Sequence, residues 1–278
     1  MSTWRPYNTV LMRSELTKTL GNANIVYSGN PEIIQSAFGI RGNFEVLCCF
    51  KVVGPTDARE PPFGGGGSVH LFRNNDHSKL PWSNFTPITT FPPSIDNSRF
   101  LLFENLALIQ INFGSANLDK PANLEVIGRI GDKLKHICRE SRYPFYWKQT
   151  STFLRINNSY DLTEVTGNPS LIQGTFGIRH MNFELTVPLI KGGIYHLFKV
   201  NDGDNPSATP WQIGNHGKPI DHKRKYEAVS LIQSNFQNNP ASAGNLEMIA
   251  RSENGLFHFW MDSKTRRWNG PFDLSSFG

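Results

Sequence analysis

At 278 residues, with 18% charged side chains, 24 glycines and 18 prolines, the chain can bury a sizeable core and is composed for short strands and turns rather than helices. The net charge of +5 is modest and spread along the chain; its one dense run, His222-Lys223-Arg224-Lys225, reads as a solvated loop, and no nucleic-acid partner is expected. No apolar run reaches the roughly 18 residues of a membrane span, and Met1–Pro6 lacks the apolar core of a leader peptide, so a cytosolic protein or a mature secreted form is expected.

In chain order, residues 1–27 carry Trp4, Tyr7 and the patch Thr9-Val10-Leu11-Met12, and match nothing later. They are expected to supply an outer strand beside the last repeat, removing a free edge. From Pro31 a set of landmarks begins: Ile33-Ile34-Gln35, Asn43-Phe44-Glu45, His70-Leu71-Phe72 and Pro81-Trp82. It returns as Leu108-Ile109-Gln110, Asn123-Leu124-Glu125, His136-Ile137-Cys138 and Trp147. A third copy holds Leu171-Ile172-Gln173, Asn182-Phe183-Glu184, His196-Leu197-Phe198 and Pro210-Trp211. The last holds Leu231-Ile232-Gln233, Asn245-Leu246-Glu247, His258-Phe259-Trp260 and Trp268. Such a repeat builds one unit per copy that cannot bury its apolar face alone. Each copy reads as four short strands, the signature of a β-propeller blade. The expected fold is all-β, a four-bladed β-propeller with four-stranded antiparallel blades in one domain, 1–278. Its blades fall at about 28–88, 105–150, 167–213 and 228–272.

The hairpin turns set a register. A two-residue turn at Gly131-Asp132 places His136 opposite Ile127, one same-face step from Glu125, and a turn at Glu253-Asn254 does the same for His258, Ile249 and Glu247. Glu and His stand 11, 12 and 11 residues apart in the last three copies and 25 in the first, where Lys51–Gly67 is inserted. Each copy is therefore expected to hold a Glu–His hydrogen bond tying its second and third strands, an architectural role rather than a metal site. Gln35, Gln110, Gln173 and Gln233 fall on the innermost strands. The repeated tryptophans are expected to pack between blades, with exposed sugar platforms as the alternative. Cys48, Cys49 and Cys138 form neither metal spacing nor a disulfide framework, and a bridge from Cys138 to either of the others stays open. Two sequons, at Asn84 and Asn157, permit secretion.

Shared residues build a scaffold, and unshared loops carry function. The long segments Ile88–Ala107, Thr150–Asn168 and Gly214–Ala228 are expected on one rim, as a lid over a funnel. They offer His222, Tyr226 and Asp161 as candidate acid–base groups and Asp96, Arg99, Phe100, Arg155, Tyr160 and His216 as candidate ligand contacts. The rim loops differ in length and composition, which favours one asymmetric site over four equal ones. No phosphate loop, nucleophile elbow or metal-spaced histidine pair occurs, so neither cofactor nor metal is expected.

The order of the landmarks resembles a propeller repeat seen in secreted or uncharacterised bacterial and fungal proteins, over about residues 28–272. Within that architecture the chain also resembles fungal hetero-Diels–Alderases of tropolone-sesquiterpenoid pathways. That resemblance implies a cofactor-independent pericyclase joining an apolar terpene to a reactive polar diene, chemistry that alignment alone can accelerate. It transfers no catalytic residue. A carbohydrate-binding lectin and a protein-interaction platform are the alternatives, so the expected partner is a small apolar molecule or a glycan.

Overall fold

The computed structural model describes residues 24–38, 40–53, 66–79, 82–83, 86–88, 103–111, 123–139, 147–149, 153–156, 160–176, 181–201, 209–234 and 244–275. Among these the chain is all-β, with a 3-10 turn at Asn215–Gly217. Two compact units are present, Met1–Glu104 and Asn105–Gly278.

The first unit holds one antiparallel sheet of β1 (Asn24–Gln35), β2 (Phe44–Val53), β3 (Gly66–Arg73) and β4 (Thr86–Pro87), paired in chain order. Val46, Cys48, Phe50, Val69 and Leu71 form its buried cluster, with Trp82 packed against it. Register slips between Ser28 and Glu32 in the long β1.

The second unit holds three sheets. One is β5 (Asn105–Gln110), β6 (Leu124–Ile130), β7 (Lys133–Arg139) and β8 (Trp147–Gln149), in chain order. Next come β9 (Arg155–Ile156), β10 (Tyr160–Asp161), β11 (Ser170–Gln173), β12 (Phe183–Pro188), β13 (Ile194–Lys199) and β14 (Trp211–Ile213), in the order β10-β9-β14-β13-β12-β11. The last is β15 (Ala228–Gln233), β16 (Leu246–Ser252), β17 (Gly255–Met261) and β18 (Trp268–Asp273), again in chain order. The first strands β5, β11 and β15 lie side by side, and Asn168 bridges Ala228 in parallel between the last two. Within this unit each first strand thus runs beside the next.

Packing follows the strand period. Strand β16 buries Leu246, Met248, Ala250 and Ser252 and leaves the intervening residues more open, the alternation expected of one core-facing side. In contrast β12 is buried throughout, because sheets pack on both its faces. Between the first two sheets of this unit, Ala107, Ile127 and Leu134 meet Leu185, Leu197 and Trp211. A second cluster joins Ile194 and Phe176 to Leu231, Met248, Phe257 and Phe259. Each such side chain contributes about 1.5–3 kcal/mol when removed from water.

The linkers differ from the expected lid. Strands β9 and β10, from the Thr150–Asn168 segment, form a hairpin that pairs in parallel with β14 through Trp211 and Ile156. Leu154, Ile156, Leu162 and Val165 from the same segment are buried in the core. Four apolar residues at this spacing are too costly to leave in water, so the segment extends a sheet instead of covering a mouth. The Gly214–Ala228 segment docks on the β12–β13 hairpin. Ile194 and Ile220 exchange backbone hydrogen bonds of 3.0 and 2.8 Å, and the Gly193 N–H donates to the Arg224 carbonyl at 2.7 Å. Gly193, at φ +86°, could not carry a side chain there: a Cβ would meet the Ile220 carbonyl oxygen at 2.9 Å.

Candidate functional site

The repeated Glu–His pairing is present in all four sheets. His70, His136, His196 and His258 stand opposite Leu47, Ile127, Thr186 and Ile249. Their Nε2 atoms lie 2.7, 2.7, 2.7 and 2.8 Å from the carboxylates of Glu45, Glu125, Glu184 and Glu247. The first three pairs are buried, whereas the side chains of His258 and Glu247 are 31% and 28% exposed. Burial holds the His136 imidazole below its ordinary value, against the opposing pull of Glu125. No group of histidine, cysteine or acidic residues among the described residues is arranged to hold a metal ion.

The tryptophans explain the burial. The Trp211 ring meets His136 edge-on at 5.9 Å, and Trp268 meets His196 at 5.4 Å. Trp211 and Trp268 each cover the histidine of the sheet before their own. Trp147 and Trp211 are only 5% and 4% exposed, which fits packing and removes them as sugar platforms. Among the repeated glutamines, Gln35 donates to the Arg41 carbonyl at 3.1 Å and Gln233 to that of Gly244 at 2.8 Å. Gln233 also accepts from the Thr175 backbone N–H, tying two sheets together. These repeats are scaffold.

The three cysteines are free thiols. Burial raises Cys48 to about 12 and Cys49 to about 11, so neither is a ready nucleophile.

A cleft of about 700 Å³ opens instead where unshared loops converge in the second unit. One wall is the β12–β13 turn, with Leu189 and the half-exposed Ile190; opposite stand Glu253 and Asn254 of the β16–β17 turn; between them runs Asp221–Glu227. The Tyr226 ring is buried against Phe257 and Phe259. Its hydroxyl donates to Asp221 Oδ2 at 2.6 Å, while Arg224 Nη1 donates to the same oxygen at 2.9 Å and to the Tyr226 hydroxyl at 3.3 Å. The Arg224 guanidinium also stacks 4.0 Å over Phe257. Burial and the Asp221 bond push the Tyr226 hydroxyl upward, so it stays a proton donor and is not a base. Nearby, Glu227 pairs with Arg251 at 3.2 Å and Lys191 with Glu164 at 2.5 Å.

The structure separates the candidate residues. Tyr226 lines the cleft with its ring in the core, and His222 is exposed in the same turn. His216 is exposed in the 3-10 turn. Arg155 is exposed on β9, paired with Asp161 of β10, and Tyr160 pairs with Ile156. Those three therefore sit at the outer edge of the six-stranded sheet, not on the loops that form the cleft, because β9 is drawn there by its buried neighbours. Asp96, Arg99 and Phe100 lie outside the described residues. Ile190, Asp221 and Arg224 also line the cleft and were not among the sequence candidates. The basic run beside Tyr226 was a visible signal, but its ordering by Asp221 and Phe257 depends on a turn that only the fold brings onto β17.

No protein-family model matches the chain, and no curated protein matches it. Among solved structures, a point mutant of the NanB sialidase from Streptococcus pneumoniae aligns with TM-score 0.56 at 11% identity, over 91% of this chain and 50% of that one. A structure of NanB with Optactamide gives 0.54 at 11% identity, over the same 91% and 50%. A lectin from Burkholderia pseudomallei gives 0.47 at 15% identity, over 91% and 70%. The chain thus spans half the length of the sialidase structures. At such identities the sialidase likeness is one of fold, all-β and propeller-like. The resemblance to hetero-Diels–Alderases finds no support among these comparisons.

Proposed function

We propose that the chain is a glycan-binding β-propeller whose four sheets are four blades of one domain, and that the Asp221–Glu227 cleft is its binding site. Two things support this. The fold likeness is to a sialidase, a carbohydrate-active protein. The cleft has the mixed chemistry a sugar ring needs. Leu189 and Ile190 offer apolar surface to a C–H face, and fixed donors and acceptors at Asp221 and Arg224, with the exposed Asn254 amide beside them, stand ready for hydroxyls. The carrying observation is the Tyr226–Asp221–Arg224 network, which holds polar groups in place before any ligand arrives, so that little ordering entropy is lost on binding.

The test is a glycan array probed with the full chain, followed by titration of its best ligand against wild type and Ile190→Asp. Ile190 is 48% exposed, so the variant should fold with an unchanged unfolding midpoint. A loss of affinity of about tenfold or more supports the cleft, since an unmatched charge then meets the apolar face of the sugar. An array without binders, or a variant that binds like wild type, contradicts the proposal.

A further inference from the structure

The cleft carries a charge pattern that narrows its ligand. Arg224 is pinned on one side only: Nη1 serves Asp221 and Tyr226, and the plane rests on Phe257. Nε and Nη2 donate to no acceptor among the described residues, and the side chain is 34% exposed. The neighbouring Lys223 and Lys225 are exposed cleft residues that make no ion pair among the described residues. The acids are mostly occupied. Asp221 is held by Tyr226 and Arg224, Glu227 faces Arg251, and Asp273, whose charge reaches Arg224, accepts from the Ser275 N–H and hydroxyl at 2.8 and 2.6 Å. Of the cleft's acids, Glu253 alone has no ion-pair partner among the described residues. An incoming molecule therefore meets two uncommitted ammonium groups and an oriented guanidinium edge against one uncommitted carboxylate.

From this we infer that the glycan bound here is acidic, and that its carboxylate or sulfate is received by the free edge of Arg224, with Lys223 and Lys225 as flanking charges. The inference rests on the glycan-binding reading of the same cleft. A guanidinium fork held in place presents two parallel N–H groups to a planar or tetrahedral oxyanion, which an ammonium cannot do. Solvated lysines alone would give weak, unspecific attraction that fades with salt. The fixed arginine between them supplies geometry as well as charge.

The test uses the full chain and three oligosaccharides that differ at one position, bearing a hydroxyl, a carboxylate or a sulfate, with a single-stranded DNA of matched charge as control. At least one acidic form should bind about tenfold more tightly than the neutral form, the worth of one charge-assisted bidentate contact. Whichever acid wins identifies the source of the oxyanion. Arg224→Lys should remove most of that preference, weakening acidic binding far more than neutral binding. Should Arg224→Lys unfold, Lys223→Gln/Lys225→Gln remains informative: it should fold and weaken acidic binding about two- to fivefold, with a flatter salt dependence. Equal affinity for acidic and neutral forms overturns the inference and leaves the glycan reading standing. DNA binding as tight as acidic glycan, or acid preference untouched by both variants, overturns it as well. Failure of every oligosaccharide to bind removes both.

Discussion

Glu184 is fully buried, and His196 meets one of its oxygens at 2.7 Å while the side chains are 0% and 2% exposed. Removing the imidazole leaves a core carboxylate whose one remaining charge partner among the described residues is Arg266, 3.9 Å from its other oxygen, so His196→Ala should cost about 3 kcal/mol in urea unfolding. The equivalent His258→Ala should cost about 1 kcal/mol or less, since water reaches that pair. Similar losses at the two sites would contradict a role set by burial. His136 adds a pH dependence. Its folded value lies below the unfolded value of about 6.5, so the unfolded chain takes up the proton first as pH falls. The stability it contributes is thus present above about pH 6.5 and lost below it. Wild type should lose more stability than His136→Gln between about pH 7.5 and pH 5, and parallel curves would contradict this. Glu32, raised by burial to about 7, works in the opposite sense in the first unit, which is why the comparison is made against the variant.

At the scale of elements, turn chemistry decides where the site can form. The β12–β13 turn carries Gly192 and Gly193 at φ +106° and +86°, and the Asp221–Arg224 backbone lies directly on them. Gly193→Ala should therefore destabilise by about 1–3 kcal/mol through strain and collision, and should loosen the cleft. Unchanged unfolding with wild-type protection of the Gly193 amide from hydrogen exchange would contradict it. The repeat made the Glu–His register readable from sequence alone, because a two-residue turn at Gly131-Asp132 leaves no freedom in which residues face each other. The linkers were not readable. Leu154, Ile156, Leu162 and Val165 follow no repeat, and only the tertiary edge of β14 decides that they become an added hairpin.

For the whole molecule, repetition made the all-β, sheet-by-sheet architecture legible, since the landmarks recur at equivalent strand positions. The candidate site was legible only in part. Tyr226 lines the proposed cleft, whereas Asp161, Arg155 and Tyr160 belong to another edge, and the cleft is assembled from three loops distant in sequence. A common scaffold and a singular cleft differ in valency. Four repeated sites would take several ligands per chain, whereas one cleft built from unshared loops takes one. Native mass spectrometry of the full chain with a saturating glycan from the array measures this directly. One glycan per chain is expected, lost in Ile190→Asp; several glycans per chain, or one that persists in that variant, would rule out a single cleft.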